Sequence, residues 1–209
     1  MDLHVLGIGM GYLGAALGVA MVVPQLLRTI RNRSMPGVSV LSWSLMALAC
    51  TSWLLYGVRT DEVPQIPGNV LLISGSVVVA LAAPSSRAIA TRAALLAAAG
   101  AGLVALAVLA SPAGIGFAAI AVALVSSTPQ SVKSVLRRGA AVSAVAPLSW
   151  ALRVASQACW LLYAFAVQDV RVVISAIVLL TNAAIVLVAE SVPRRVPTAQ
   201  PVPACEIAA

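Results

Sequence analysis

A duplication separated by apolar runs constrains this chain more than any other feature. Trp53-Leu54-Leu55-Tyr56 returns as Trp160-Leu161-Leu162-Tyr163, and each copy follows a Leu-Ser-Trp, at 41–43 and at 148–150. Further upstream, Pro24-Gln25 returns as Pro129-Gln130. The offset is 107 residues for the two later landmarks and 105 for Pro-Gln, so a two-residue difference in one loop accounts for the drift. The stretches between landmarks are apolar. A repeating unit of this kind lies in a bilayer, and two such units facing each other frame a pathway between them.

Composition excludes the soluble alternatives. Hydrophobic residues make up 61% of the chain and charged residues 9%, with a mean hydropathy of +1.04. A soluble domain could not solvate that much apolar surface, so the chain reads as a polytopic membrane protein. The net charge of +7 does not point to nucleic acid, because the basic residues sit in short clusters between apolar runs, where they orient helices in the bilayer. Met1-Asp2-Leu3-His4 lacks the basic start of a secretory signal, so the first apolar run is expected to remain as a helix. Cys50 and Cys159 lie inside apolar runs and Cys205 in a polar tail, a pattern of small buried hydrophobes rather than of disulfide or metal chemistry.

A membrane-crossing helix needs about 20 largely apolar residues. Seven stretches qualify: 4–27, 38–58, 63–83, 90–110, 112–135, 145–166 and 170–190. The landmarks assign the first three to one unit and the last three to another. Three crossings leave the chain on the opposite side, so a fourth helix must return it if both units share an orientation. The expected fold is therefore all-α, with seven transmembrane helices arranged 3+1+3 as two parallel triple-helix bundles. The corresponding divisions are residues 1–86, a linker helix at 87–111, residues 112–190 and a disordered cytoplasmic tail at 191–209. Arg28, Arg31, Arg33, Arg87, Arg92, Lys133, Arg137, Arg138, Arg194 and Arg195 would then share one face of the membrane. Arg59 and Arg171 fall on the other, beside Asp61, Glu62 and Asp169. The positive-inside rule places the N-terminus outside and the C-terminus in the cytoplasm.

Several residues carry polarity or irregularity into these spans. Pro24 and Pro129 remove a ladder hydrogen bond, which makes each a hinge if the helix continues beyond it and an ordinary helix end if it does not. Gln25 and Gln130 would be polar groups at the inner mouth. Trp53 and Trp160 near the ends of their helices are interfacial anchors if they face lipid. If they face inward, they converge near the pseudosymmetry axis as aromatic plates able to pack on a sugar ring. Asn69 must find a polar partner in another helix or a solute, and Pro67-Gly68 before it permits an irregular turn. On the sixth span, Trp150, Arg153, Gln157 and Trp160 share one face, spanning an arc of about 80°. The equivalent face of the second span carries Trp43, Met46, Cys50 and Trp53. Arg153 either snorkels to the headgroups, or pairs with Glu190, or lines a cavity and favours an anionic solute.

Pro-Gln near the end of a first helix, a basic loop, and a second helix ending in Trp and Tyr resemble the PQ-loop repeat. Two such repeats joined by one helix resemble a SWEET transporter over about residues 5–190. The resemblance implies a solute pocket built by a Trp late in the second helix and an Asn early in the third, positions that match Trp53 and Asn69. In the second repeat Trp160 matches, but the Asn position reads Ala176, with Ser175 beside it. The resemblance also implies proline hinges or gates. Pro24, Pro129 and Pro147 fit these, while the fourth position reads Val40.

The six acids, Asp2, Asp61, Glu62, Asp169, Glu190 and Glu206, lie in loops, tails or at a helix end. No mid-membrane carboxylate is available to carry a coupled proton, whereas proton-coupled carriers of the PQ-loop superfamily that this chain resembles, such as the cystine carrier cystinosin, rely on intramembrane acids. A retinal photoreceptor would need a lysine within a helix, and the only lysine, Lys133, is at the end of one. A single His4 and no clustered Ser, His and Asp argue against an enzyme, a metal site or a cofactor. The expectation is a plasma-membrane carrier moving a small polar solute, foremost a mono- or disaccharide, down its gradient by alternating access. Trp53, Trp160 and Asn69 would contact the solute, with Gln157, Ser175 and Ala176 completing the second half. A carrier of amino acids or another anionic solute and a non-transporting receptor on the same fold are the alternatives. Its partners are the solute and the lipid bilayer, not nucleic acid; homo-oligomers are compatible with this arrangement, but a pore does not require them.

Overall fold

Helix starts follow from caps written in the sequence. Asp2 accepts from the His4 N–H at 3.0 Å and opens α1 (Leu3–Ala20). Ser111 Oγ accepts from the Gly114 N–H at 3.2 Å and opens α5 (Pro112–Leu136), while Pro147 occupies the first position of α6 (Pro147–Val167). Asp169 opens α7 (Val170–Ser191) by accepting from the Arg171 N–H at 2.9 Å. Each of these devices satisfies or dispenses with an N–H that a helix start leaves orphaned. The remaining helices are α2 (Val22–Arg31), α3 (Val40–Thr60) and α4 (Gln65–Ala82). The computed structural model describes residues 2–31, 40–82, 100, 102, 110–137 and 145–192. Most of the expected fourth span and the tail beyond Val192 lie outside these residues.

The duplication reappears in the backbone. Asp61 after α3 and Gln168 after α6, repeat equivalents, both adopt the left-handed conformation with φ 58°. Trp53 and Tyr56 meet edge to face at 5.5 Å, and Trp160 and Tyr163 repeat that geometry at 5.3 Å. The first span differs from expectation. Instead of one rod over 4–27, the helix is interrupted at Met21, between α1 and α2. Pro24 explains the position: its missing N–H leaves the Ala20 carbonyl without its usual partner four residues on, and the ladder breaks in that turn.

Packing follows an inside-out rule. Ser52, Ser76, Ser126 and Ser156 are buried, while Leu3, Phe117, Leu136 and Val188 are more than half exposed. Ser52 donates to Leu48 O at 3.1 Å and Ser126 to Ala123 O at 2.8 Å, each within its own helix. Large apolar side chains turned outward and small polar ones turned inward suit a bundle whose solvent is hydrocarbon. Leu3–Pro24, Pro112–Leu136, Pro147–Val167 and Val170–Ser191 are long and apolar enough to cross a membrane.

Among the described helices, α4 packs between α1 and α3, and α7 between α5 and α6. The two groups meet through α1 against α6 and α3 against α5. Glycine makes both junctions close. A Cβ at Gly11 would stand 2.9 Å from the Tyr163 ring, and one at Gly116 would stand 3.0 Å from the Tyr56 ring. In a bilayer, where lipid is as apolar as leucine, such close approach supplies the dispersion contacts that hold helices together.

Candidate functional site

Between the two groups of helices lies a cavity of about 100 Å³. A water molecule needs roughly 10–15 Å³ on this measure, so several fit. The seven residues expected to serve the solute, Trp53, Asn69, Arg153, Gln157, Trp160, Ser175 and Ala176, all line it. α3 supplies Met46, Cys50 and Trp53 on successive turns of one face, and α6 supplies Arg153, Gln157 and Trp160 on the equivalent face. The third helices of the two groups add Asn69 from α4 and Ser175 and Ala176 from α7.

The wall is unequal at equivalent positions. Arg153 Nη1 lies 4.0 Å from the Met46 sulfur, a contact between residues 107 apart, and therefore between repeat equivalents. The pseudosymmetry axis passes between them. Arg153 is only 7% exposed, its carbon Cζ stands 5.4 Å from the centre of the Trp150 ring, and its Nε has no hydrogen-bond partner among the described residues. Of the alternatives open for this residue, the structure shows the cavity wall. Glu190, a candidate partner, instead accepts from Ser134 Oγ at 2.8 Å.

Asn69 is buried and donates from Nδ2 to Gln65 O at 2.7 Å, within its own helix. One N–H and the carbonyl oxygen of the amide remain for the cavity. Ser156 Oγ donates to Gly14 O at 2.7 Å and so ties α6 to α1 beside the lining.

Apolar clusters flank the cavity. At one end Tyr56, Ile115, Tyr163, Ala164 and Val172 pack beneath Trp53 and Trp160. Here the Tyr56 hydroxyl donates to Asp169, and Arg171 Nη1 donates to the Tyr56 oxygen at 2.9 Å, so one triad ties α3 to the start of α7. The equivalent Tyr163 hydroxyl is buried with no partner among the described residues. By repeat equivalence Glu62 and Pro64 stand at the positions of Asp169 and Arg171, so the cation of the triad has no counterpart. At the other end Met21, Val22 and Val79 pack with Trp43, Met46, Leu72 and Leu152.

The expected hinge and gate residues are distributed differently. Pro24 follows the Met21 break, whereas Pro129 sits inside an uninterrupted α5 and Pro147 begins α6. Gln130 donates to Ser134 Oγ at 3.3 Å, joining the Glu190 contact in a strap between α5 and α7. Gln25 lies within α2, with its side chain outside the described residues. Sequence reasoning missed Gln65, Ser126 and Ser156 near the cavity because serine and glutamine in a helix announce no direction. It also named Tyr56, Asp169 and Arg171 separately without joining them, since only folding brings residues more than 100 positions apart together.

Fold and site thus define a helical membrane protein with two repeats around a largely apolar cavity that carries a few polar groups. Residues 6–66 match the family model of the PQ loop repeat. Over 71 residues the chain is 27% identical to the sugar transporter SemiSWEET of Bradyrhizobium diazoefficiens, covering 33% of this chain and 83% of that protein. The fold matches a eukaryotic SWEET transporter with a TM-score of 0.71 at 16% identity, over 90% of this chain and 97% of the other. The chain thus carries a match to the PQ loop repeat over residues 6–66 and shares the fold of a SWEET transporter.

Proposed function

We propose that the chain is a facilitative carrier of small polar solutes, foremost mono- or disaccharides, working by alternating access in both directions. The observation that carries this reading is the convergence of Trp53, Trp160 and Asn69, with Gln157 and Ser175, on one cavity between repeats. Indole faces pack on the apolar face of a sugar ring while amides and hydroxyls take its hydroxyl groups. The named activity of the SemiSWEET relative supports the same class of solute.

In this reading two triple-helix units rock about the cavity in the plasma membrane with the N-terminus outside. The Tyr56–Asp169–Arg171 triad closes the outer end, and the Met21 interruption before Pro24 lets the inner end bend. Each flanking cluster opens in turn, so the solute meets one side at a time. No carboxylate lines the cavity among the described residues, which favours transport without a coupled proton.

Reconstituted protein in liposomes loaded with unlabelled glucose or sucrose is expected to accumulate the labelled sugar by counterflow, equally with and without a pH gradient. Binding without counterflow of either sugar would overturn the carrier and leave a receptor.

A further inference from the structure

The cavity carries a charge that no described residue of its lining balances. Arg153 is the only charged residue in the described lining, and its described neighbours are the Met46 sulfur, the Trp150 ring and the Cys50 thiol. A ring and a sulfur contact a guanidinium without neutralising it, and arginine does not escape by losing its proton. Nε is buried and unpartnered among the described residues, so the fork that normally grips a carboxylate is left unmatched in a residue that lines the cavity. A buried cation of this kind is held at a cost in desolvation that an anion from outside the protein can offset.

We infer that the cavity is specific for a sugar acid, a polyhydroxylated monocarboxylate whose carboxylate pairs with Arg153 while its ring lies against Trp53 and Trp160. The inference rests on reading the cavity as a solute-binding site, and it replaces neutral sugar by an anionic one as the preferred occupant. Charge decides among the candidates. One guanidinium and no acid in the described lining are balanced by a single negative charge. A phosphate dianion would leave an excess, and the ammonium of a zwitterionic amino acid would meet no counter-charge. The hydroxyls have partners in Asn69, with an N–H and an oxygen to spare, and in Gln157 and Ser175, all in the same wall. Duplication shows where the charge entered, since the equivalent of Arg153 is Met46 and the two touch across the axis. A single position of one repeat thus sets the polarity of the whole cavity.

The test compares D-glucuronate with D-glucuronamide, which has the same ring and hydroxyls but no charge. Binding to the purified full-length protein is followed by quenching of tryptophan fluorescence, and transport by counterflow in liposomes with D-glucose as reference. The wild type is expected to bind glucuronate about tenfold or more tightly than glucuronamide, the difference of one good charged contact. Arg153→Met, which copies the first repeat, should bring that ratio close to one, and Arg153→Lys should leave an intermediate ratio. Equal affinities in the wild type would overturn the inference, whether or not either variant folds. Glucose counterflow alongside equal affinities would overturn the inference while keeping the carrier. Preferential glucuronate binding without counterflow of any solute would support the inference and remove the carrier.

Discussion

Asn69 holds its place through a bond inside its own helix, to Gln65 O at 2.7 Å, so removing the amide costs the fold roughly 1 kcal/mol. In the proposed pocket a solute loses more, because the amide keeps one N–H and its oxygen for the cavity. Asn69→Ala is therefore expected to lower uptake about tenfold or more, with an unchanged elution profile and thermal transition in detergent. Wild-type uptake would remove Asn69 from the pocket. Outside the spans, burial raises the Glu62 carboxyl above its ordinary value of 4.5, the Asp169 charge raises it further, and His4 partly counters both. A carboxyl raised in the folded state holds its proton more tightly there than in the unfolded chain. Its stabilising effect is complete below pH 4.5 and is lost as pH climbs through the raised value. Melting temperature in detergent should decline across that window, and Glu62→Gln should flatten the decline.

Helix ends are where the duplicated elements are most alike and most exposed to local chemistry. Asp61 and Gln168 stop α3 and α6 in the left-handed region, a conformation that costs a residue with a Cβ about 1–2 kcal/mol. Gln168 recovers part of this by donating from Nε2 to Phe165 O at 2.6 Å. Asp61 makes no such side-chain bond among the described residues, so Asp61→Gly is expected to stabilise the protein by about 1 kcal/mol. For a chain of this size that raises the melting temperature by roughly 2–4 °C; a lower transition would show that the Asp61 side chain holds something its geometry does not reveal. The prolines show how one residue type serves different purposes by register. Pro24 lies three residues beyond a broken ladder, Pro129 lies within a continuous helix and Pro147 begins one.

Across the whole molecule, the two halves are joined at α1 with α6 and at α3 with α5, so any opening of the cavity must separate these helix pairs at an end. The Tyr56 hydroxyl holds one such end by donating to Asp169 while accepting from Arg171. Tyr56→Phe keeps the ring against Gly116 but removes both bonds, which shifts the population toward states open at that end. Cys50 lines the cavity and is buried, and so it reports the shift. With Cys159→Ser and Cys205→Ser in the background, Tyr56→Phe should speed labelling of Cys50 by a membrane-impermeant maleimide added outside. An unchanged labelling rate would mean that the triad does not hold the cavity closed.

Helical structure, a place in the membrane and construction from two copies of one unit are all legible along the chain. Hydropathy and the Trp-Leu-Leu-Tyr landmarks depend only on composition and order. Apart from the first, the expected spans on described residues match the helices closely because capping by Ser111 and Asp169 and stopping at Asp61 and Gln168 are local events. The interruption at Met21 was legible in Pro24, yet whether a proline bends, breaks or begins a helix depends on what packs around the freed carbonyl. Only the tertiary structure decided the direction of Arg153, since a long cation near a helix end reaches headgroups or a cavity equally well until its neighbours are known. It alone joined Tyr56 to Asp169 and Arg171, and Met46 to Arg153. Such contacts depend on how the two copies face each other, and the spacing of repeats along a chain does not encode that angle.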